Sequence, residues 1–343
     1  MSGGARPLVG PSRTGRATVS GEVAVVVGAS GALGGAIAAR LLAEGLTVIG
    51  VARGATGQRP DAGDAAGGDA AGDAAGGAAG GAARGDAASG AARGDAASGA
   101  AGGAAGGGAR GAPGGAGGNA ASGAAGGGAA GSGAGAAGSS AAMEWCAADI
   151  GSDDAVAAVA AAVGDRPVRM VVQAAGLPAA GPLATIEPDA LGRAVALKCG
   201  GLLRLVRAVD GHLQPGARLV ALGGHYGIEP APYACAAGVT NAALANLVRQ
   251  LATAYGPRGV TAHLVAPGPA DTPRLRALSR QAAETRGVPV DTVLAERAAE
   301  SPLGRLVTPA EVAWAVATLL APEAAALDGS ALSLDVGARR GIF

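Results

Sequence analysis

The chain has 343 residues, 64 of them glycine, and its 26 basic and 26 acidic side chains leave no net formal charge. No basic stripe stands out, so a nucleic-acid-binding surface is not indicated. Cys146, Cys199 and Cys235 have spacings that fit neither a disulfide framework nor a zinc site, which points to three reduced thiols, no metal and a reducing compartment.

Met1–Ser20 is polar and rich in Gly, Pro and Arg. It lacks the apolar run of a signal peptide and reads as a flexible tail. The longest uncharged run, Gly111–Met143, is almost wholly Gly, Ala and Ser. A membrane span needs ~20 strongly apolar residues, so the expectation is a cytoplasmic protein without a membrane partner.

Glu22–Val27, EVAVVV, is a continuous apolar run, as in a strand buried on both faces of a parallel sheet. The glycine-rich turn GASGALGG (Gly28–Gly35) follows, then a helical pattern over Ala36–Glu44 stopped by Gly45, then a second strand over Leu46–Ala52. From Gly54 to Ala142 there is no Leu, Ile, Val, Met, Phe, Tyr or Trp. Such a stretch cannot bury enough apolar area to offset its chain entropy, so 54–142 reads as a low-complexity disordered insert. Its direct repeat ARGDAASGA (Ala83–Ala91 and Ala92–Ala100) has no large apolar residue to stack a solenoid, and its two Arg-Gly-Asp tripeptides read as chance in this composition.

Beyond the insert, strands are expected at Glu144–Ile150, Val168–Ala174, Ala217–Leu222, Val260–Ala266 and Ala331–Val336. Helices are expected at Asp153–Val163, Pro188–His212, Pro232–Tyr255 and Thr308–Leu320. Regular alternation of strand and helix predicts a Rossmann-type, doubly wound parallel sheet of about seven strands with helices on both faces. The domain is then a single one, formed by 21–53 and 143–343.

Gly28-x-x-Gly31-x-x-Gly34 lies between a strand and a helix, the context a dinucleotide fingerprint requires. The glycines allow a tight turn and close backbone approach to a pyrophosphate, and the helix N-terminus adds free N–H groups. Arg53 closes the second strand, where an acidic residue would bind a ribose 2′-hydroxyl and an Arg a 2′-phosphate. No Asp or Glu lies between Leu46 and Pro60, which favours NADP(H) over NAD(H). The competing reading is a solvated loop arginine.

These motifs, with several further on, resemble the short-chain dehydrogenase/reductase family from roughly Glu22 to Gly337 outside the insert. Asp149-Ile150 matches the pair that meets the adenine, and Ala175-Gly176 ends the element Gln173-Ala174-Ala175-Gly176, where the family has Asn-Asn-Ala-Gly. Pro267-Gly268 through Thr272 matches the segment whose Thr meets the nicotinamide. The resemblance implies Gly28, Ser30, Gly31, Leu33, Gly34, Arg53, Asp149, Ile150, Ala175, Gly176, Pro267, Gly268 and Thr272 as cofactor-binding residues. It implies carbonyl reduction or alcohol oxidation by hydride transfer in a homodimer or homotetramer.

The chemical end departs from the pattern. The family carries a Ser, a Tyr-x-x-x-Lys and a helix Asn. Tyr233 is read as the Tyr, but Ala237 follows where the Lys would be, and Gly223-Gly224 replaces the Ser. Lys198, the one Lys beside 25 Arg, falls at the helix Asn position. Polyketide ketoreductases are similar, with Lys in that helix and Asn after the Tyr. An ammonium beside a phenol favours the phenolate, so Tyr233 and Lys198 form a candidate proton-transfer pair. The other reading of Lys198 is a helix-surface residue. Gly224, His225 and Tyr226 are candidate substrate contacts, with His225 or Tyr226 replacing the missing donor. His263 reads as a satisfied core residue, Cys199 and Cys235 as small core residues, and Asp271–Ser301 as the cover of an apolar or mixed substrate. The alternative function is a degenerate NADP(H)-binding protein acting as sensor or assembly partner, which the missing Ser and Lys favour. Tyr233, Lys198 and Thr272 favour the enzyme.

Overall fold

Seven parallel strands lie in the order β3-β2-β1-β4-β5-β6-β7 among the described residues. They are β1 (Val23–Val27), β2 (Thr47–Ala52), β3 (Met143–Ala147), β4 (Val168–Gln173), β5 (Leu213–Leu222), β6 (Thr261–Pro267) and β7 (Ala331–Leu334). The computed structural model describes residues 21–54, 141–177 and 181–341. The expected tail (1–20) and, but for its end residues, the expected insert (54–142) lie outside the described residues.

The helices are α1 (Ala32–Ala43), α2 (Asp154–Val163), α3 (Pro188–Val195), α4 (Gly201–Val209), α5 (Cys235–Tyr255), α6 (Pro273–Arg286), α7 (Val290–Ala299) and α8 (Pro309–Thr318). Alternate residues of each strand feed two separate cores. Val25, Ile49, Val171, Leu219 and Leu264 face α2, α4 and α5. Ala24, Val26, Val48, Met170, Val172 and Val265 face α1 and α8. Burial on both faces is why the strands read as unbroken apolar runs. In register, Val25 pairs with Ile49 on one side and Val171 on the other, so chain order reverses between β1 and β4. Ligands of open α/β sheets bind at the carboxyl ends of strands beside such a switch.

Local chemistry explains where the helices start and stop. Thr308 caps α8 with a full capping box, its side chain accepting from the Glu311 amide while the Glu311 carboxylate accepts from the Thr308 amide. The segment Asp271–Ser301, expected to cover a substrate, holds the two helices α6 and α7. Thr272 caps α6 by accepting from Leu275 N, Pro273 occupies its first turn, and Gly287 ends it at φ +64°. The expected single helix over Pro188–His212 is broken by a π turn at Ala196–Gly200, between α3 and α4. No described helix is long and apolar enough to cross a membrane.

Gly34 is the tightest point of the β1–α1 turn. A Cβ there would fall inside the contact radius of the Gly28 carbonyl oxygen, which is backbone and cannot rotate away. Gly34→Ala is therefore expected to cost about 1–3 kcal/mol through overpacking. A melting temperature equal to the parent's would contradict this packing.

Candidate active site

Because every strand runs the same way, the carboxyl ends of β1 to β6 lie along one edge of the sheet. The expected cofactor residues lie at these strand ends, in the segments just after them, or, for Leu33 and Gly34, in the first turn of α1. Gly28 leaves β1 at φ +78°, so close to β4 that a Cβ would lie 3.0 Å from the Ala174 carbonyl. Its amide donates to Val51 O at 2.9 Å, and Gly31 N donates back to Gly28 O at 3.0 Å. Gly31 caps α1 without a side chain, and no acidic residue stands in the first turn. The amides of Ala32, Leu33 and Gly34 thus keep their free hydrogen-bonding capacity. This bare, positive helix end, with Ser30 exposed beside it, fits a pyrophosphate.

Arg53 stands at the exposed end of β2. After β3, Asp149 is exposed, its Oδ1 accepting from Gly151 N at 2.9 Å, while Ile150 is buried against Gly201. After β4, Ala175 N donates to Gln173 Oε1 at 3.2 Å, and Gly176 is exposed. After β6, Gly268 N donates to Leu334 O, and a Cβ on Gly268 would lie 3.0 Å from Asp335 Cα. The Thr272 hydroxyl accepts from Leu275 N at 3.2 Å and donates to Ala270 O at 3.3 Å.

Lys198 occupies the middle of the π turn. It is only 5% exposed, and its Nζ donates to Leu222 O, the last carbonyl of β5, at 2.8 Å. Burial, reinforced by the positive charge of Arg274, lowers its pKa to about 8. Gln173 supports the same turn: its Nε2 donates to Leu197 O at 3.3 Å. Gly201 follows where a Cβ would strike that Nε2. A π turn widens the helix by one residue and is frequent at functional sites.

The hydroxyl of Tyr233 meets that of Tyr226 at 2.8 Å, with the rings edge to face and centroids 5.6 Å apart. Tyr233 is 53% exposed, whereas Tyr226 is half-buried, and burial above all pushes its phenol pKa up. His225 is buried against the Tyr226 ring and hydrogen-bonded to the Pro267 carbonyl; desolvation lowers its pKa, so the imidazole is neutral at pH 7. No hydrogen bond joins Lys198 to Tyr233 among the described residues. The hydrogen bond of each goes elsewhere, to Leu222 and to Tyr226.

Asn241, which the sequence did not single out, packs against the glycines that follow β5. Tyr233 precedes α5, in a single 3-10 turn over Pro232–Ala234, rather than standing on the helix. Asn241 of α5 fills the space at the β5 end: a Cβ on Gly224 would lie 2.8 Å from its Nδ2, and one on Gly227 would lie 2.7 Å from its Cβ. One turn earlier on the same face is Ala237. Lys on the α3–α4 side and Asn on α5 repeat the exchange seen in the ketoreductase resemblance, with Asn eight residues after Tyr233. The available signal was Thr240-Asn241, two polar residues within an apolar helical run. His263 is a core residue, with Thr261 Oγ1 at 2.8 Å and Leu327 O at 3.2 Å on its two ring nitrogens.

A family model described as enoyl-(acyl carrier protein) reductase matches residues 127–339. The short-chain reductase protein NovJ of Streptomyces niveus is 34% identical over 201 residues, 55% of this chain and 73% of its own. A Xanthobacter autotrophicus protein named inactive 2-(S)-hydroxypropyl-CoM dehydrogenase 2 is 32% identical over 193 residues, 54% of this chain and 81% of its own. In fold, actinorhodin polyketide ketoreductase, solved with NADPH, superposes with a TM-score of 0.64 at 22% identity, covering 94% of this chain and 98% of that one. The chain belongs to the short-chain dehydrogenase/reductase family.

Lys198 makes stability depend on pH. Below pH 8 both folded and unfolded chains carry the ammonium, and the folded one bears the cost of burying it. Between pH 8 and 10.5 the folded chain gives up a proton that the unfolded chain keeps, so stability rises with pH. The parent should therefore gain about 3 kcal/mol relative to Lys198→Met across that window. Paired denaturant titrations at pH 7 and pH 10.5 measure this, and a pH-independent difference would contradict a buried ammonium.

Proposed function

We propose that the chain is an NADP(H)-dependent oxidoreductase that interconverts a carbonyl and an alcohol, with Tyr233 exchanging the hydroxyl proton. The observation that carries this reading is the Tyr233 hydroxyl itself, half exposed beside the β5 end and hydrogen-bonded to Tyr226. When bound, the nicotinamide supplies or accepts the hydride. The chain supplies the remaining chemistry. Gly28, Ser30, Gly31, Leu33 and Gly34 would hold the pyrophosphate, Asp149 and Ile150 the adenine, and Ala175, Gly176, Pro267, Gly268 and Thr272 the ribose and nicotinamide side.

Arg53, with no acidic residue near it in sequence, supports NADP(H), as do family neighbours of the same fold solved with NADPH. Lys198 puts a positive charge behind the last carbonyl of β5, close to where negative charge develops on a reacting oxygen. Such fixed charge is worth most where water is excluded. Gly224, His225 and Tyr226 would line the substrate side, under α6 and α7. Self-association as a homodimer or homotetramer belongs to the same reading, supported by the 54% exposed Trp314 on α8.

A second reading, an NADP(H)-binding protein with little turnover, draws on Gly224 and Ala237. They put no hydroxyl at the family's serine position and no ammonium four residues after Tyr233. Cofactor titration followed by a carbonyl substrate panel separates the two readings. Tyr233→Phe is expected to lower kcat at least 100-fold with NADPH affinity unchanged, about the loss of one donor to a developing oxyanion. Equal turnover by Tyr233→Phe would remove Tyr233 from the chemistry. Arg53→Ala is expected to weaken NADPH about tenfold or more and NADH little, because a charge-assisted hydrogen bond is lost with the phosphate. Equal affinities of the parent for NADPH and NADH would contradict the cofactor assignment.

A further inference from the structure

Two tyrosines from the loop after β5 meet hydroxyl to hydroxyl, 2.8 Å apart, beside the glycine that stands where the family has its serine. Their environments differ sharply. Tyr226 is half-buried, stacked at a tilt against the buried His225 with ring centroids 4.0 Å apart. Tyr233 is 53% exposed and in contact with water. When two coupled acids sit in unlike surroundings, the surroundings divide the roles: the buried member keeps its proton and the exposed member exchanges it.

We propose that Tyr226 is a positioning residue that donates its hydroxyl hydrogen to the Tyr233 oxygen throughout the reaction, so that the pair acts as one proton-donating unit. The inference rests on the reading of Tyr233 as the proton-exchanging group. In the reductive direction a hydride reaches the carbonyl carbon from the nicotinamide and a C–H bond forms. The O–H bond of Tyr233 breaks and its proton passes to the substrate oxygen, giving the alcohol. The negative charge left on the Tyr233 oxygen is held by the hydrogen bond from Tyr226 until water returns a proton at the exposed side. Hydrogen bonds to ionised acceptors are roughly twice as strong as neutral ones, so Tyr226 stabilises the state after transfer more than the state before it.

The charged groups around the pair are consistent with this division. Arg297 of α7 and Glu300 act on Tyr226 with opposite sign. His225 is uncharged at neutral pH and faces Asp335, Glu300 and Glu229. The partner of the Tyr233 hydroxyl is the Tyr226 hydroxyl, and burial keeps Tyr226 protonated.

The chain has only three tyrosines, Tyr226, Tyr233 and Tyr255, so each can be followed separately. The test is a pH titration of the full chain labelled with [13Cζ]tyrosine, with signals assigned from the single Phe variants. In Tyr226→Phe, which keeps the ring against His225, the Tyr233 midpoint is expected to rise by about one pH unit on loss of a hydrogen bond to a charged oxygen. For any carbonyl the parent reduces, kcat should fall about tenfold or more while NADPH affinity, which also reports an intact fold, stays at the parent value. An unchanged Tyr233 midpoint in Tyr226→Phe would overturn the proposal, as would a parent in which Tyr226 ionises before Tyr233. If the parent reduces no carbonyl, the enzyme reading fails alone, and the NMR midpoint still decides whether the two hydroxyls are coupled.

Discussion

Parallel strand direction is the constraint from which the rest of this molecule follows. A parallel sheet must be covered on both faces, which calls for helices between strands and apolar residues at nearly every strand position. It also delivers every strand's carboxyl end to one edge. The sheet closes there only because Gly28 can adopt φ +78° against Ala174, and because Gly34 lets α1 approach the turn. The positive helix end that fits a pyrophosphate is a by-product of the same packing. The nucleotide side of the site therefore needs almost no specialised side chains, and its glycines carry most of the work.

The chemical side is built differently, by substitution. The family's serine position is glycine, and Asn241 has taken the space beside it. The family's helix asparagine is Lys198, drawn into the interior by a π turn and fixed to Leu222. Burying that ammonium is costly, and its lowered pKa reports the cost. Such an expense, in a chain that otherwise uses arginine, is the ground for the role proposed for Lys198. Exchange of Lys and Asn between two helices keeps one cation and one amide at the β5 end while changing which element holds each. The hydroxyls come instead from the loop, as the Tyr226–Tyr233 pair.

Much of the fold was legible in the sequence. Runs such as EVAVVV and VRMVVQ declare strands buried on both faces, and their alternation with helical stretches gives the doubly wound sheet. The glycine turn, Arg53, Asp149 and Thr272 could be placed at the carboxyl edge of the sheet from sequence, because backbone conformation and strand ends are written locally. What sequence could not supply depends on packing between distant segments. The π turn at Lys198 has no local signature, since Gln173 and Leu222, from two other strands, stabilise it. Pro232 suggested a helix start, yet it opens a single 3-10 turn, so Tyr233 lies in the loop and the spacing to Ala237 is not a helical one. The bond between Tyr226 and Tyr233 spans seven residues of irregular chain, where no periodicity could announce it. Helices α6 and α7 have few buried residues to mark them, although Thr272-Pro273 and Gly287 were usable end signals.

Every role proposed for the site depends on a hydride leaving the bound cofactor for a carbonyl carbon at the β5 end. Single-turnover reaction of the parent with NADPH deuterated at nicotinamide C4, using each stereoisomer in turn against a panel of ketones and aldehydes, tests this directly. The expected result is that one stereoisomer delivers deuterium to the carbinol carbon of an alcohol product. Tight NADPH binding with no deuterium transferred to any carbonyl would contradict it and leave a cofactor-binding protein.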